Sequence, residues 1–176
     1  MAGPAFGTRS RRRIGLVLAV AAVAVLMAAC RPQANSTVAA ASTCGPGVPD
    51  NSITQAVFDR VNSDRAANGL GPLSWNPQLA CLAQDHSNWM ATTGNFSHRD
   101  LSVTIRQPDY SGYASLGENI LVGPNTMSGG QMEDAWMNSP GHRANILSAN
   151  FDSIGIAVGW SSDGRICATQ NFGRHR

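Results

Sequence analysis

The run Ile154-Gly155-Ile156-Ala157-Val158-Gly159-Trp160 alternates a large apolar residue with glycine or alanine. A period of two places the large side chains on one face of a strand and the small ones on the other. The large residues fill a core, and the small ones admit a second layer at close backbone range. Ser161 to Gly164 reads as a hairpin turn, and Arg165 to Phe172 as the returning strand. Helical patterns come earlier in the chain, so helices cover both sides of this sheet. The expected fold class is α+β, a three-layer α-β-α sandwich with a central antiparallel sheet.

The helices are legible from their ends. Ser52 with Gln55 reads as a capping box, Ile53, Ala56, Val57 and Val61 follow helical spacing, and Asn68-Gly69 is a stop. Leu70 to Trp75 reads as a short connection. Asn76-Pro77 supplies a cap and an N1 proline, followed by the apolar stripe Leu79, Leu82, Ala83, His86, Trp89 and Met90, with Gly94 as the stop. His86, inside that stripe, reads as a hydrogen-bonded core residue. Ser128 caps a helix to about Asn138, with Met132, Ala135 and Trp136 facing inward. Ser139 then reads as an N-cap whose hydroxyl accepts from the next turn, with Pro140 at N1 and His142 at N3. The positive end of a helix disfavours imidazolium there.

Between the second and third helices lies a long irregular stretch, Asn95 to Gly117, and such connections in compact domains are usually functional. Leu116-Gly117-Glu118-Asn119-Ile120 reads as a tight turn entering a strand that runs through Val122.

The N-terminus reads as an export signal. Arg9, Arg11, Arg12 and Arg13 precede an apolar run from Ile14 to Ala29, shorter than a typical membrane span. The run ends in Leu26-Met27-Ala28-Ala29-Cys30, which resembles a bacterial lipobox and makes Cys30 the lipidation site. Ser10 to Ile14 partly resembles a twin-arginine signal, and a plain membrane anchor is the alternative. The layout is then a signal over 1–30, a flexible tether over 31–49, a domain over 50–173 and a tail over 174–176, with His175 in the tail. The expected location is the cell envelope or outside the cell, and the expected state is a membrane-anchored monomer.

From Arg31 onward nine arginines face eleven acids, with no lysine, leaving a net charge of −2. A slightly acidic exported domain has no electrostatic footprint for nucleic acid. The absence of lysine excludes Schiff-base and phosphate-loop lysine chemistry. Cys44, Cys81 and Cys167 remain besides Cys30. Export permits a disulfide, read as Cys44–Cys81, with Cys167 a small buried strand residue.

The chain has four histidines and only two glutamates. His98 in the long loop, Glu118 after a glycine and His142 at a helix start all sit beside irregular backbone. Two imidazoles and a carboxylate are a plausible divalent-metal or acid/base set. Spacing alone does not bring them together, and no His-Glu-x-x-His motif is present.

Several motifs in order carry a resemblance. They are Asn62 with Arg65, Leu73-Ser74-Trp75-Asn76-Pro77-Gln78-Leu79-Ala80, Phe96-Ser97-His98, Gly117-Glu118-Asn119-Ile120 and Trp136 to Leu147. Over about Ile53 to Phe172 the chain resembles the exported bacterial branch of the CAP superfamily of cysteine-rich secretory, antigen 5 and pathogenesis-related proteins, also called SCP domains. The resemblance implies an α-β-α sandwich with a central cleft. In eukaryotic members two histidines and two acids line that cleft and can hold a divalent ion. Carried over by motif, the cleft residues are His98, Glu118, Ser139 and His142, with His98, His142 and Glu118 as the metal set. The family's second glutamate lies three residues after the motif tryptophan, where this chain has Ser139. Glu133, three residues before Trp136, points elsewhere and does not replace it.

The first functional reading is an envelope-displayed binding domain for a small ligand, lipid, peptide, glycan or envelope component. No cofactor is required, and a divalent ion such as zinc binds weakly at most. The alternative is a metal-dependent or acid/base hydrolase using the same cleft. A serine nucleophile at Ser97 or Ser139 fits less well, since no Gly-x-Ser-x-Gly elbow is present. A third reading is a stable envelope protein with a vestigial cleft. No catalytic residue is assigned.

Overall fold

A computed structural model describes residues 51–176, with Met1 and Gly3. Residues 51–176 lie within one compact unit, Val38–Arg176, and all that follows concerns them. The expected signal, the tether, Cys30 and Cys44 lie outside the described residues.

Helix α1 (Ser52–Ala67) is capped one residue earlier than the sequence suggests. The Asn51 carboxamide oxygen accepts from the Ile53 and Thr54 N–H groups, and the Thr54 hydroxyl accepts from the Asn51 N–H. Asparagine caps as well as serine does, so the choice fell to the pair that closes reciprocally. Strand β1 (Ser74–Trp75) replaces the expected plain connection and pairs in parallel with β3 (Ser153–Trp160). Two residues are too few to show a period. Asn62 holds this edge by donating to the Leu73 carbonyl at 3.1 Å and accepting its N–H at 2.8 Å. Arg65, 3% exposed, donates to the carbonyls of Gly71, Ile146 and Ser148. Both motif residues of this helix are therefore structural clamps.

Helix α2 (Pro77–Thr93) begins at the Asn76 cap and ends at Gly94 in the left-handed region (φ 72°), as expected. The irregular stretch contains a short α3 (Leu101–Thr104) and a 3₁₀ turn at Pro108–Tyr110. Strand β2 (Tyr113–Pro124) starts earlier than the sequence suggests, so Glu118 sits mid-strand rather than after a tight turn. Helices α4 (Gly129–Met137) and α5 (Pro140–Ile146) follow, then β3 and β4 (Arg165–His175). Strand β4 continues through His175, so residues 174 and 175 belong to the sheet and not to a tail. The His175 Nδ1 lies 2.8 Å from Asp152 Oδ1, and its N–H donates to Asp152 Oδ2.

The sheet order is β1-β3-β4-β2, antiparallel except for the short β1 edge. Val57 and Val61 of α1, Met132 and Trp136 of α4 and Ile146 of α5 share one core with Ile154, Ile156 and Val158 of β3. On the other face α2 lies directly on β3 and β4. A Cβ at Gly155 would stand 2.0 Å from the Ala80 nitrogen, and one at Gly159 2.6 Å from the Ser87 carbonyl oxygen. The alternation therefore builds the sandwich as expected. Trp160 departs from it, ending the strand 56% exposed, and Trp89 is 40% exposed on the outer side of α2. Ala135 is also exposed, because α4 turns Gly129, Met132, Glu133 and Trp136 inward.

Candidate functional site

Side chains alternate along β2, so Glu118 faces the α2 side of the sheet and Asn119 the α4 and α5 side. Glu118 is 6% exposed. Its Oε1 lies 3.0 Å from His98 Nδ1 and accepts the Arg99 N–H at 3.0 Å, while Oε2 accepts from Asn171 Nδ2 at 3.3 Å. Asn171 is its register partner on β4. The carboxylate is committed to orienting the His98 loop. With Nδ1 donating to Glu118, His98 presents Nε2 outward from a side chain that is 56% exposed.

His86 joins the same group. Its Nε2 is 2.9 Å from the Ser97 carbonyl, to which it donates, and 3.8 Å from Glu118 Oε1. Burial pushes its pKa down, against the pull of Glu118, so a neutral ring sits there and the second contact is no ion pair. The expected hydrogen-bonded core histidine is found, but it also fastens the loop that carries His98. Nothing local in the sequence signals that role except its being a polar residue in an apolar stripe.

His142 stands at N3 of α5, half-buried. Burial lowers its pKa, and His98 pushes in the same direction. Asn119 Nδ2 donates to the His142 carbonyl at 3.1 Å, and Asn145 Nδ2 donates to Asn119 Oδ1 at 2.8 Å and to the Glu118 carbonyl at 3.2 Å. These bonds pin α5 against β2. Ser139 occupies the N-cap position of α5, but its hydroxyl makes no capping bond. The backbone turn is closed by Arg143 N–H donating to the Ser139 carbonyl, with Pro140 at N1.

Among the described residues no group of three or more His, Cys, Asp or Glu side chains is arranged to hold a metal ion. Of the expected set His98, His142 and Glu118, the carboxylate accepts three hydrogen bonds, from His98, Arg99 and Asn171.

Glu133 does not enter the cleft. It is fully buried on the opposite side of the sheet, where Gln170 Nε2 donates to its Oε2 at 2.8 Å and Asn119 Nδ2 donates to Gln170 Oε1 at 2.9 Å. Burial first, and then nearby Asp64, push its pKa up to about 8, against the Gln170 hydrogen bond. Cys81 is disulfide-bonded, while Cys167 is free and buried in β4. The expected Cys44 partner lies outside the described residues.

A family model described as the cysteine-rich secretory protein family, CAP, matches residues 58–172. The chain belongs to the CAP family. Its CAP domain is 36% identical over 124 residues to the uncharacterized protein YkwD of Bacillus subtilis, covering 67% of this chain and 46% of that protein. Its fold matches an extracellular SCP-domain protein from Bacillus anthracis at TM-score 0.59 and 33% identity, covering 74% of this chain and 45% of that one. An outer surface protein from Borrelia burgdorferi matches at TM-score 0.63 and 17% identity, over 73% of this chain and 97% of that chain. The CAP domain thus spans less than half the length of the two Bacillus proteins.

Proposed function

We propose that the chain is an exported, lipid-anchored protein that displays a CAP binding domain outside the cell. The name of the extracellular Bacillus anthracis relative supports the location. The leader ending in Leu26-Met27-Ala28-Ala29-Cys30 supports the anchor. The cleft between His98 and His142 takes a small ligand or envelope component and holds a divalent ion such as zinc weakly. His98 and His142 would hold the ion, and Glu118 fixes the ring of His98, as a carboxylate behind a metal-binding histidine does.

One observation carries the choice of binding over catalysis: both oxygens of Glu118 are occupied by His98, Arg99 and Asn171. It orients: three of its roughly four acceptor sites already hold the His98 segment and β4. The same His98–Glu118 pair favours a second reading, an acid/base hydrolase in which the oriented His98 Nε2 acts as the base.

Zinc titration calorimetry of wild type beside His98→Ala and His142→Ala tests the proposal. Weak one-site binding that disappears in each variant is the expected result. Equal heats in all three overturn the metal part. Turnover of an activated ester that vanishes with His98→Ala moves the assignment to the hydrolase.

A further inference from the structure

Beside the histidine cleft, between α2 and the His98–Arg99 segment, a cavity of about 450 Å³ is lined by Asp85, His86, Trp89, His98 and Arg99. Asp85 and Trp89 are one helical turn apart and share a face of α2. The Trp89 indole stacks on His86 with ring centroids 5.5 Å apart and planes 8° from parallel, which fixes the indole as a rigid wall while leaving it 40% exposed.

Arg99 is the unusual member. Its Nε is buried without a hydrogen-bond partner, and its Nη2 reaches only the Leu82 carbonyl at 3.5 Å. No carboxylate pairs with it among the described residues. A buried guanidinium N–H without an acceptor is costly, and the planar fork of the half-buried side chain matches a carboxylate. The backbone of the same residue is anchored to Glu118, so the guanidinium is presented from a fixed point.

We infer that this pocket binds an acidic saccharide, with the sugar ring against Trp89, its carboxylate on Arg99 and its hydroxyls on Asp85 and His98. Asp85 decides between ring types. A sugar's hydroxyl groups donate to its carboxylate, whereas the bare ring of an aromatic acid offers it no donor. The inference rests on the reading of this chain as a binding domain and names the ligand class for the pocket next to the cleft.

The test is titration of the ¹⁵N-labelled protein with methyl glucuronide and with methyl glucoside, both in chelator so that bound metal plays no part. The Trp89 indole N–H is assigned from its loss in Trp89→Phe. The expected result is that the glucuronide shifts this resonance and binds about tenfold more tightly than the glucoside, with Arg99→Gln abolishing the difference. Equal binding of the two sugars overturns the acidic class while leaving a binding domain standing. Undiminished glucuronide preference in Arg99→Gln, or no shift of the Trp89 indole with either sugar, overturns the inference. Zinc calorimetry decides the histidine cleft independently of all three.

Discussion

Glu118 and Asn119 are neighbours on β2, yet they serve hydrogen-bond networks on opposite faces of the sheet. Glu118 fixes His98 from the α2 side, and Asn119 fixes the His142 backbone from the α5 side. One dipeptide at the sheet edge thus sets both histidines. The Asn119 half can be removed by itself: Asn119→Ala frees the His142 carbonyl and leaves Gln170 Oε1 without its donor. We expect a stability loss of about 2 kcal/mol, from a buried network left half-satisfied, together with weaker zinc binding. Denaturant unfolding and calorimetry on the same sample read the two effects.

Glu133 makes stability depend on pH in an unusual direction. Its folded pKa of about 8 lies above the ordinary 4.5. The neutral carboxyl therefore contributes fully below pH 4.5, and that contribution is lost as pH rises through about 8. Glu133→Gln keeps an acceptor for Gln170 and removes the ionisation. It should be more stable than wild type by about 1–3 kcal/mol at about pH 8, and nearly equal to it at about pH 4. Denaturant midpoints at the two pH values check this, and a gap that does not change with pH contradicts it.

The close approach of α2 to the sheet predicts a sharp contrast between glycines. Gly155→Ala drives a methyl group into the backbone at Ala80, and the loss should be about 3 kcal/mol or more. Gly130, inside α4 with nothing near its missing Cβ, should tolerate alanine or gain about 0.5 kcal/mol from it. Thermal unfolding of the two variants gives the comparison.

The disulfide prediction is that Cys81 pairs with Cys44 and that Cys167 carries a free thiol. Closing that loop is worth roughly 3–4 kcal/mol in the chain-entropy model. Mass spectrometry of an unreduced digest should yield a Cys44–Cys81 peptide. A peptide joining Cys81 to any other cysteine contradicts the assignment.

Ser139 offers a gain-of-function test. Because its hydroxyl makes no capping bond, Ser139→Glu breaks no helix cap. The added carboxylate should raise zinc affinity about tenfold or more over wild type. Unchanged affinity shows that this position does not face the ion.

The sandwich was legible because its strongest constraint is local. Gly155 and Gly159 are small for the sake of α2, and the alternation displays that need in seven consecutive residues. Helix ends at Gly94 and Ser128 were legible for the same reason, since capping chemistry is decided within one turn. The start of β2 was not, because Tyr113-Ala114-Ser115-Leu116 has no clear period. It is a strand because the C-terminal end of β4 pairs with it, Tyr113 opposite His175. In the site, the motif residues His98, Glu118 and His142 were legible, and the division of labour among them was not. The commitment of Glu118 depends on Asn171, 53 positions away. Arg99 and Trp89 carried no signal, since an unpaired guanidinium is visible only once its surroundings are known.

The most direct test of the account is the state of the histidine rings. Long-range ¹H–¹⁵N spectra of the imidazoles should show His98 with its proton on Nδ1, held by Glu118, and His86 with its proton on Nε2, held by Ser97. Added zinc should then shift His98 Nε2 and the ring of His142 while leaving His86 unmoved. A His98 protonated on Nε2, or a zinc response at His86 in place of His142, contradicts the assignment of Glu118 as the group that aims His98 into the cleft.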